Sequence, residues 1–268
     1  MIRRLLQLIL PAGSDRAPDF DSKYHLDRLL EAIAAHDIDS VNILIKADVD
    51  QNCAKFSTIS PLHRAIEIED RQVRLQIVKL LVASGASVKQ DHRFEDEYGD
   101  SCMHKSVRSG DFELVELLHY SGAKLNRINS LGKTPILTAI KLFGSYMRLN
   151  LVALLIKYGA DVEIKDADVE GAGGTCLHYC ASTPDNMSCE LMSLLISSGA
   201  DINCLDEQAQ PPLGRATAHV NVDIRLIEFM IEAGADVNIS RVLSSTPLYV
   251  SFPSTTPFSY SDTMLHRY

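Results

Sequence analysis

No apolar run in this 268-residue chain approaches the length that a membrane-spanning helix requires, so insertion into a bilayer is not expected. The opening segment MIRRLLQLIL has a basic entry but only a very short apolar run, and Pro11-Ala12-Gly13 behind it is a poor cleavage signal for secretion. An excess of basic charge is also missing. Lys and Arg total 26 against 35 Asp and Glu, and the resulting net charge of -9 argues against a general nucleic-acid binder while mildly favouring basic partners. The six cysteines make no dense short-domain framework and read as reduced thiols, which points to the cytoplasm or nucleus. No nucleophile motif, phosphate loop or dinucleotide fingerprint occurs. The glycines of the GAGG stretch (Gly171, Gly173, Gly174) have no Lys-Ser or Lys-Thr after them, so neither a catalytic residue nor a cofactor is assigned.

What the chain does contain is one pattern, repeated. Its regular copy is SCMHKSVRSGDFELVELLHYSGAKLN over residues 101–126. A polar start precedes a short apolar-periodic helix (residues 102–107), Ser109, Gly110 and Asp111 make a turn, and a second apolar helix covers residues 112–120. Gly122 then stops that helix, because glycine accepts the left-handed conformation in which helices end. Two such helices leave an apolar face uncovered, so the unit needs similar neighbours stacked against it. They are present. The second-helix ending recurs around Gly85, Gly159, Gly199 and Gly234, and in degenerate form at Asp48. The first-helix start recurs as Ser60-Pro61-Leu62-His63, Thr134-Pro135-Ile136-Leu137, Thr175-Cys176-Leu177-His178 and Thr246-Pro247-Leu248-Tyr249. Ser or Thr caps the helix, Pro suits its first turn, and Leu and Ala pack inward.

These two blocks, in this order and several times over, resemble the TPLHxA and LLxxGADVN signatures of ankyrin repeats, across about residues 27–250. The resemblance implies an all-α solenoid of stacked helix-turn-helix units with hairpin-like loops, in which the signature His orients the turn by hydrogen bonding. On this reading residues 1–22 are an N-terminal capping helix and a loose connector, residues 23–250 the repeat domain, and residues 251–268 a C-terminal capping tail. The domain holds about six repeats and a degenerate last one starting near residue 245. The first repeat is expected to start at Asp27 as a helix cap, and inter-helix insertions are expected around residues 67–74, 142–147 and 183–187.

Cys176, His178 and Cys180, with Cys189 and Cys204 nearby, superficially resemble a zinc cluster. Repeat register gives the plainer account: His178 stands in the signature histidine slot, as do His63 and His104, while Cys176 and Cys180 fill slots for small side chains. No metal ligand is assigned.

The resemblance implies a non-catalytic module or scaffold that holds a protein partner in the concave groove and at the loop tips; the oligomeric state is not readable. Two connections, residues 89–100 and 164–174, are longer than the rest and acidic. Glu95, Asp96 and Glu97 on one and Asp166, Asp168 and Glu170 on the other are read either as a pair of fingers that grip a basic segment or as solvated loop charge. Tyr98, Arg108, Arg127, Ile128, Tyr146, Tyr179 and Arg215 are further contact candidates, chosen as aromatic, Arg or apolar groups near tips or the groove; Tyr179 has packing between helices as its alternative. Asn203 and Asn238 resemble the hairpin asparagines that asparaginyl hydroxylases modify in ankyrin repeats, against local turn closure as the structural reading. Two competing functions remain: a substrate-recognition adaptor of a ubiquitin ligase, disfavoured by a short tail without a recognisable box, and a metal protein or enzyme.

Overall fold

The computed structural model describes residues 18–47, 49–52, 60–88, 98–142, 145–166, 173–218 and 222–239. The described residues form helices and turns without strands. Contacts divide the chain after Ala123 into two compact units. The first contains α1 (Pro18–Ala34), α2 (Ile38–Lys46), α3 (Pro61–Ile66), α4 (Arg71–Ala83), α5 (Cys102–Arg108) and α6 (Phe112–Tyr120). The second contains α7 (Pro135–Leu142), α8 (Ser145–Lys157), α9 (Cys176–Ser182), α10 (Ser188–Ser197), α11 (Pro212–Ala218) and α12 (Ile224–Glu232). No helix among the described residues is long and apolar enough to cross a membrane.

The pair α5–α6 shows why this sequence folds in this way. Ser101 Oγ accepts from the His104 N–H, and His104 Nδ1 accepts from the Ser101 N–H at 3.2 Å, so two otherwise orphaned donors are satisfied at the start of α5. Gly110 turns the chain at φ +66°, and Asp111 caps α6 by accepting from the Glu113 and Leu114 N–H groups. Gly122 ends α6 at φ +89°. At Gly85, with φ +93°, a Cβ would meet only open space, so the glycine is required by backbone conformation and not by packing.

Helices of seven to nine residues are marginal alone, and their stability comes from stacking. In the first unit the first helices of successive repeats pack on one another, α1 on α3 and α3 on α5, while α2 packs on α4 as a second layer. The second unit repeats the scheme with α7 on α9 and α9 on α11 in one layer, and α8 on α10 and α10 on α12 in the other. Leu62, Met103, Leu114 and Leu118 in the first unit and Leu137, Leu177 and Leu195 in the second are fully buried. Each such side chain contributes about 2 kcal/mol of burial.

Several boundaries differ from those expected. Helix α1 begins at Pro18, so residues 18–22 of the supposed connector are helical and Asp27 is an exposed mid-helix residue, not a cap. Pro18 is tolerated there because its missing N–H would be unpaired in any first turn. In the second repeat Asp70 caps α4, and residues 71–74 belong to that helix and not to an insertion. Tyr146 and Met147 likewise lie in α8. The turn between α9 and α10 is where it was expected. Of the segments expected to cap the two ends, residues 1–17 of the stretch 1–22 and all of residues 251–268 fall outside the described residues, as do Asp48 and Cys53.

One buried ion cluster ties two repeats of the first unit together. Asp111, its side chain 1% exposed, accepts from Arg74 Nη2 at 2.9 Å and lies 3.2 Å from Arg71 Nε. Burial pushes the Asp111 carboxyl up, but Arg74, the Leu114 N–H and Arg71 together outweigh it and hold the group below its ordinary value. A folded pKa below the unfolded one means stability that is present above the ordinary carboxylate range and lost as pH falls through the lowered folded value. We therefore expect Asp111→Ala to cost about 3 kcal/mol near neutral pH, read from denaturant unfolding, and the gap from the native chain to shrink in strong acid.

Candidate interaction surface

Three loops of the second unit share one way of closing, built on a short polar residue. Asn129, Asp166 and Asp206 occupy the same place, each donating its N–H to a carbonyl across the hairpin base at 3.0 Å: Lys133, Gly174 and Gln210 respectively. Asp206 Oδ1 also accepts from the N–H groups of Gln208 and Gln210, both at 2.8 Å, and Asn129 does the same for Leu131 and Lys133. That leaves the second Asp206 oxygen for Arg215, whose Nε and Nη2 both approach it at 2.8 Å. The corresponding oxygen of Asp166 accepts from the Tyr179 hydroxyl and lies 3.4 Å from Lys141 Nζ, which itself sits 3.9 Å from the Tyr179 ring centroid.

Asp166 is thus not a charge on a projecting tip. It is 1% exposed and fastens its hairpin to α9 and α7. Tyr179 and Arg215, half-buried, serve the same two fasteners. Glu95, Asp96, Glu97, Asp168 and Glu170 lie outside the described residues.

His178 links the hairpin of one repeat to the next. Its Nδ1 accepts from the Thr175 N–H at 3.1 Å, so Nε2 carries the proton and donates to the Gln210 carbonyl at 3.0 Å. The ring is fully buried, and burial, aided by the Arg215 charge, lowers its pKa to about 4 against the opposing pull of the Gln210 carbonyl. Burial also pushes the Cys180 thiol up to about 12 and raises Cys176. Among the described residues no three His, Cys, Asp or Glu side chains are grouped as a metal site would need.

Asparagines form a second link. Asn203 Nδ2 donates to the Gly234 carbonyl at 3.2 Å while its Oδ1 accepts from the Asp236 N–H at 2.8 Å. Asn52 does the same with Gly85 and Ser87. The Asn203 amide therefore joins neighbouring repeats and does not merely close its own turn. Asn238 is exposed, and its N–H donates to Asp236 Oδ1 at 2.8 Å.

In the first unit, α3, the turn after it and α5 enclose a cleft of about 400 Å³. Ile66 and Ile68 back it, Tyr98 forms a wall, and Asp100, Lys105 and Arg108 line it. Arg108 Nε donates to Asp100 at 2.6 Å, and its guanidinium carbon is 5.6 Å from the Tyr98 ring centroid. Lys105 Nζ reaches Glu67 at 2.5 Å. In the second unit Ile128 and Leu131 on one hairpin and Leu205 on another are exposed, as is Tyr146 on α8, while Arg127 is half-buried.

A family profile of ankyrin repeats matches three overlapping stretches, residues 29–129, 71–166 and 103–204. The chain belongs to the ankyrin repeat family. An ankyrin repeat protein of Fowlpox virus is 33% identical over 65% of this chain and 49% of its own length. A protein named E3 ubiquitin-protein ligase KEG, of Arabidopsis thaliana, is 29% identical over 70% of this chain but only 11% of its own. The chain thus spans about half of the first relative and about a tenth of the second. The crystal structure of the ankyrin repeat domain of Bcl-3 shares the fold, with a TM-score of 0.66 at 22% identity over 84% of this chain and 94% of that one. Ankyrin repeats are generally protein–protein interaction modules, and the fold is typically non-enzymatic.

Within this family frame, sequence reasoning named Tyr98 and Arg108 but missed Glu67, Asp100 and Lys105, which complete the cleft. The available signal was a recurring long polar side chain at one slot of the first helix, with Arg64 standing four residues after Ser60. Lys105, Tyr179 and Arg215 each stand four residues after the first-helix start, at Ser101, Thr175 and Pro211.

The histidine link carries a pH dependence. Neutral His178 is favoured by the fold, so its contribution is fully present above its ordinary value of 6.5 and is lost as pH falls towards about 4. The stability of the native chain should decline over that interval by up to about 3 kcal/mol from this group alone. His178→Asn, less stable at pH 7, should lack this part of the slope when both are compared by urea unfolding across the range.

Proposed function

We propose that this ankyrin repeat chain is a non-catalytic binding module that holds a protein partner carrying a basic segment, through first-helix faces and loop tips. The observation that carries the reading is the first-unit cleft: Tyr98 is 43% exposed beside Arg108, in a concave site with apolar backing. Glu95, Asp96 and Glu97 immediately precede Tyr98 in sequence, and Asp168 and Glu170 supply acidic charge on the other long connection. Ile128 and Tyr146 are exposed contact candidates; Asp166 is withdrawn from the acidic set because its charge is consumed internally. The alternative of a ubiquitin-ligase substrate adaptor draws support from the Arabidopsis ligase relative, and copurification of ligase machinery would favour it.

The test is affinity capture from a matched lysate, comparing the native chain with one carrying Glu95→Ser, Asp96→Ser, Glu97→Ser, Asp168→Ser and Glu170→Ser, after both show the same helical melting. A protein held by the native chain, released by added salt and lost with the variant is the expected result. Equal retention by both chains contradicts the acidic-loop part of the reading.

A further inference from the structure

The lining of the first-unit cleft carries three cations, Arg74, Lys105 and Arg108, and three anions, Glu67, Glu69 and Asp100, but they are not paired evenly. Lys105 is committed to Glu67 at 2.5 Å and Arg108 to Asp100 at 2.6 Å. Arg74, 9% exposed at its side chain, donates to the Ile68 carbonyl at 2.8 Å and to Asp111 at 2.9 Å. Every cation lining the cleft thus already has an anion. One anion is left over. Glu69 lines the same cleft, is exposed, and makes no ion pair among the described residues.

The walls add a second requirement. Ile66 and Ile68, 3% and 5% exposed, back the cleft, and the 43%-exposed Tyr98 forms its wall, with Arg108 5.6 Å from its ring centroid. A group that fits must therefore offer several methylenes to apolar and aromatic surface and end in a positive charge. An acidic side chain would meet Glu69 unpaired, and a purely apolar one would leave that carboxylate facing hydrocarbon. At about 400 Å³ the cleft is at the small end of sites that hold organic groups, suited to one side chain and not to a folded element.

We infer that this cleft receives one lysine or arginine side chain of the bound partner, its stem lying along Ile66, Ile68 and Tyr98 and its cation at Glu69. The assignment rests on the binding-module reading and names the contact within it. Amphipathic basic side chains make this division naturally, with the stem on apolar surface and the head at the rim. The tyrosine ring adds apolar contact area for the stem.

The test uses the full chain and a fluorescein-labelled octapeptide of alternating serine and arginine, followed by anisotropy at moderate salt. The native chain should bind it, and Glu69→Gln should weaken binding by about threefold to fivefold, the upper part of the range for loss of one exposed charge pair. Glu190→Gln removes the same charge from an exposed place on α10 and should change affinity by less than about twofold. Tyr98→Ala should weaken binding with net charge unchanged, and the Ile66 and Ile68 methyl resonances should move on titration. No binding by the native chain, or equal effects of Glu69→Gln and Glu190→Gln, overturns the assignment. A captured cellular partner that survives Glu69→Gln and Tyr98→Ala but is lost with the acidic-loop variant overturns the cleft assignment alone and leaves the module reading standing.

Discussion

A pair of helices of six to seventeen residues cannot bury its own apolar face, and everything else in the described part of this chain answers that constraint. Within each unit, each repeat is completed by the next. The hydrophobic part is supplied by first helices stacked on first helices and second on second. The polar part is supplied by a small set of groups that cross from one repeat to its neighbour: Asn52 to Gly85 and Ser87, Asn126 to Asp161, Asn203 to Gly234 and Asp236, His178 to Gln210. Where the fourth repeat lacks the asparagine, Glu163 Oε1 takes the Asp201 N–H at 3.0 Å instead. Most of these bonds lie at exposed positions, so they satisfy backbone groups at helix ends and hairpins and fix the register of neighbouring repeats more than they replace excluded water.

The same economy decides which charges are available for anything else. Asp166 and Asp206 are spent on hairpin closure and on Tyr179, Lys141 and Arg215. Asp111 is spent on Arg74 and Arg71. In the first-unit cleft, by contrast, the exposed Glu69 makes no ion pair among the described residues and stands beside an apolar floor of Ile66 and Ile68. The buried His178 and the buried Cys176 and Cys180 thiols are held in their neutral forms inside the stack.

The sequence made the fold legible wherever the signal was local. The span of α6 was readable to the residue because Asp111, the apolar period and Gly122 all lie within one short stretch. Asp27 misled because a good cap residue on a solvent-facing helix position looks the same as a cap in a one-dimensional string, while the true start at Pro18 lay in a segment of turn-like composition. Asp166 misled for a different reason: in a loop rich in acids it reads as solvated, and its burial depends on Tyr179 thirteen residues on and Lys141 twenty-five residues back. The cleft was half legible. Tyr98 and Arg108 stand out by type, whereas Glu67 and Lys105 are ordinary surface residues until stacking places them together across 38 positions.

The central claim is that each repeat is held by its neighbour through a few crossing bonds laid over stacked apolar faces. Native-state hydrogen exchange on Asn203→Ala measures this directly. The account predicts a loss of about 1 kcal/mol of protection at the Asp236 N–H and through α11 and α12, with α7 to α9 unchanged. Unchanged exchange at Asp236, or an equal loss of protection at every helix of the second unit, would contradict it.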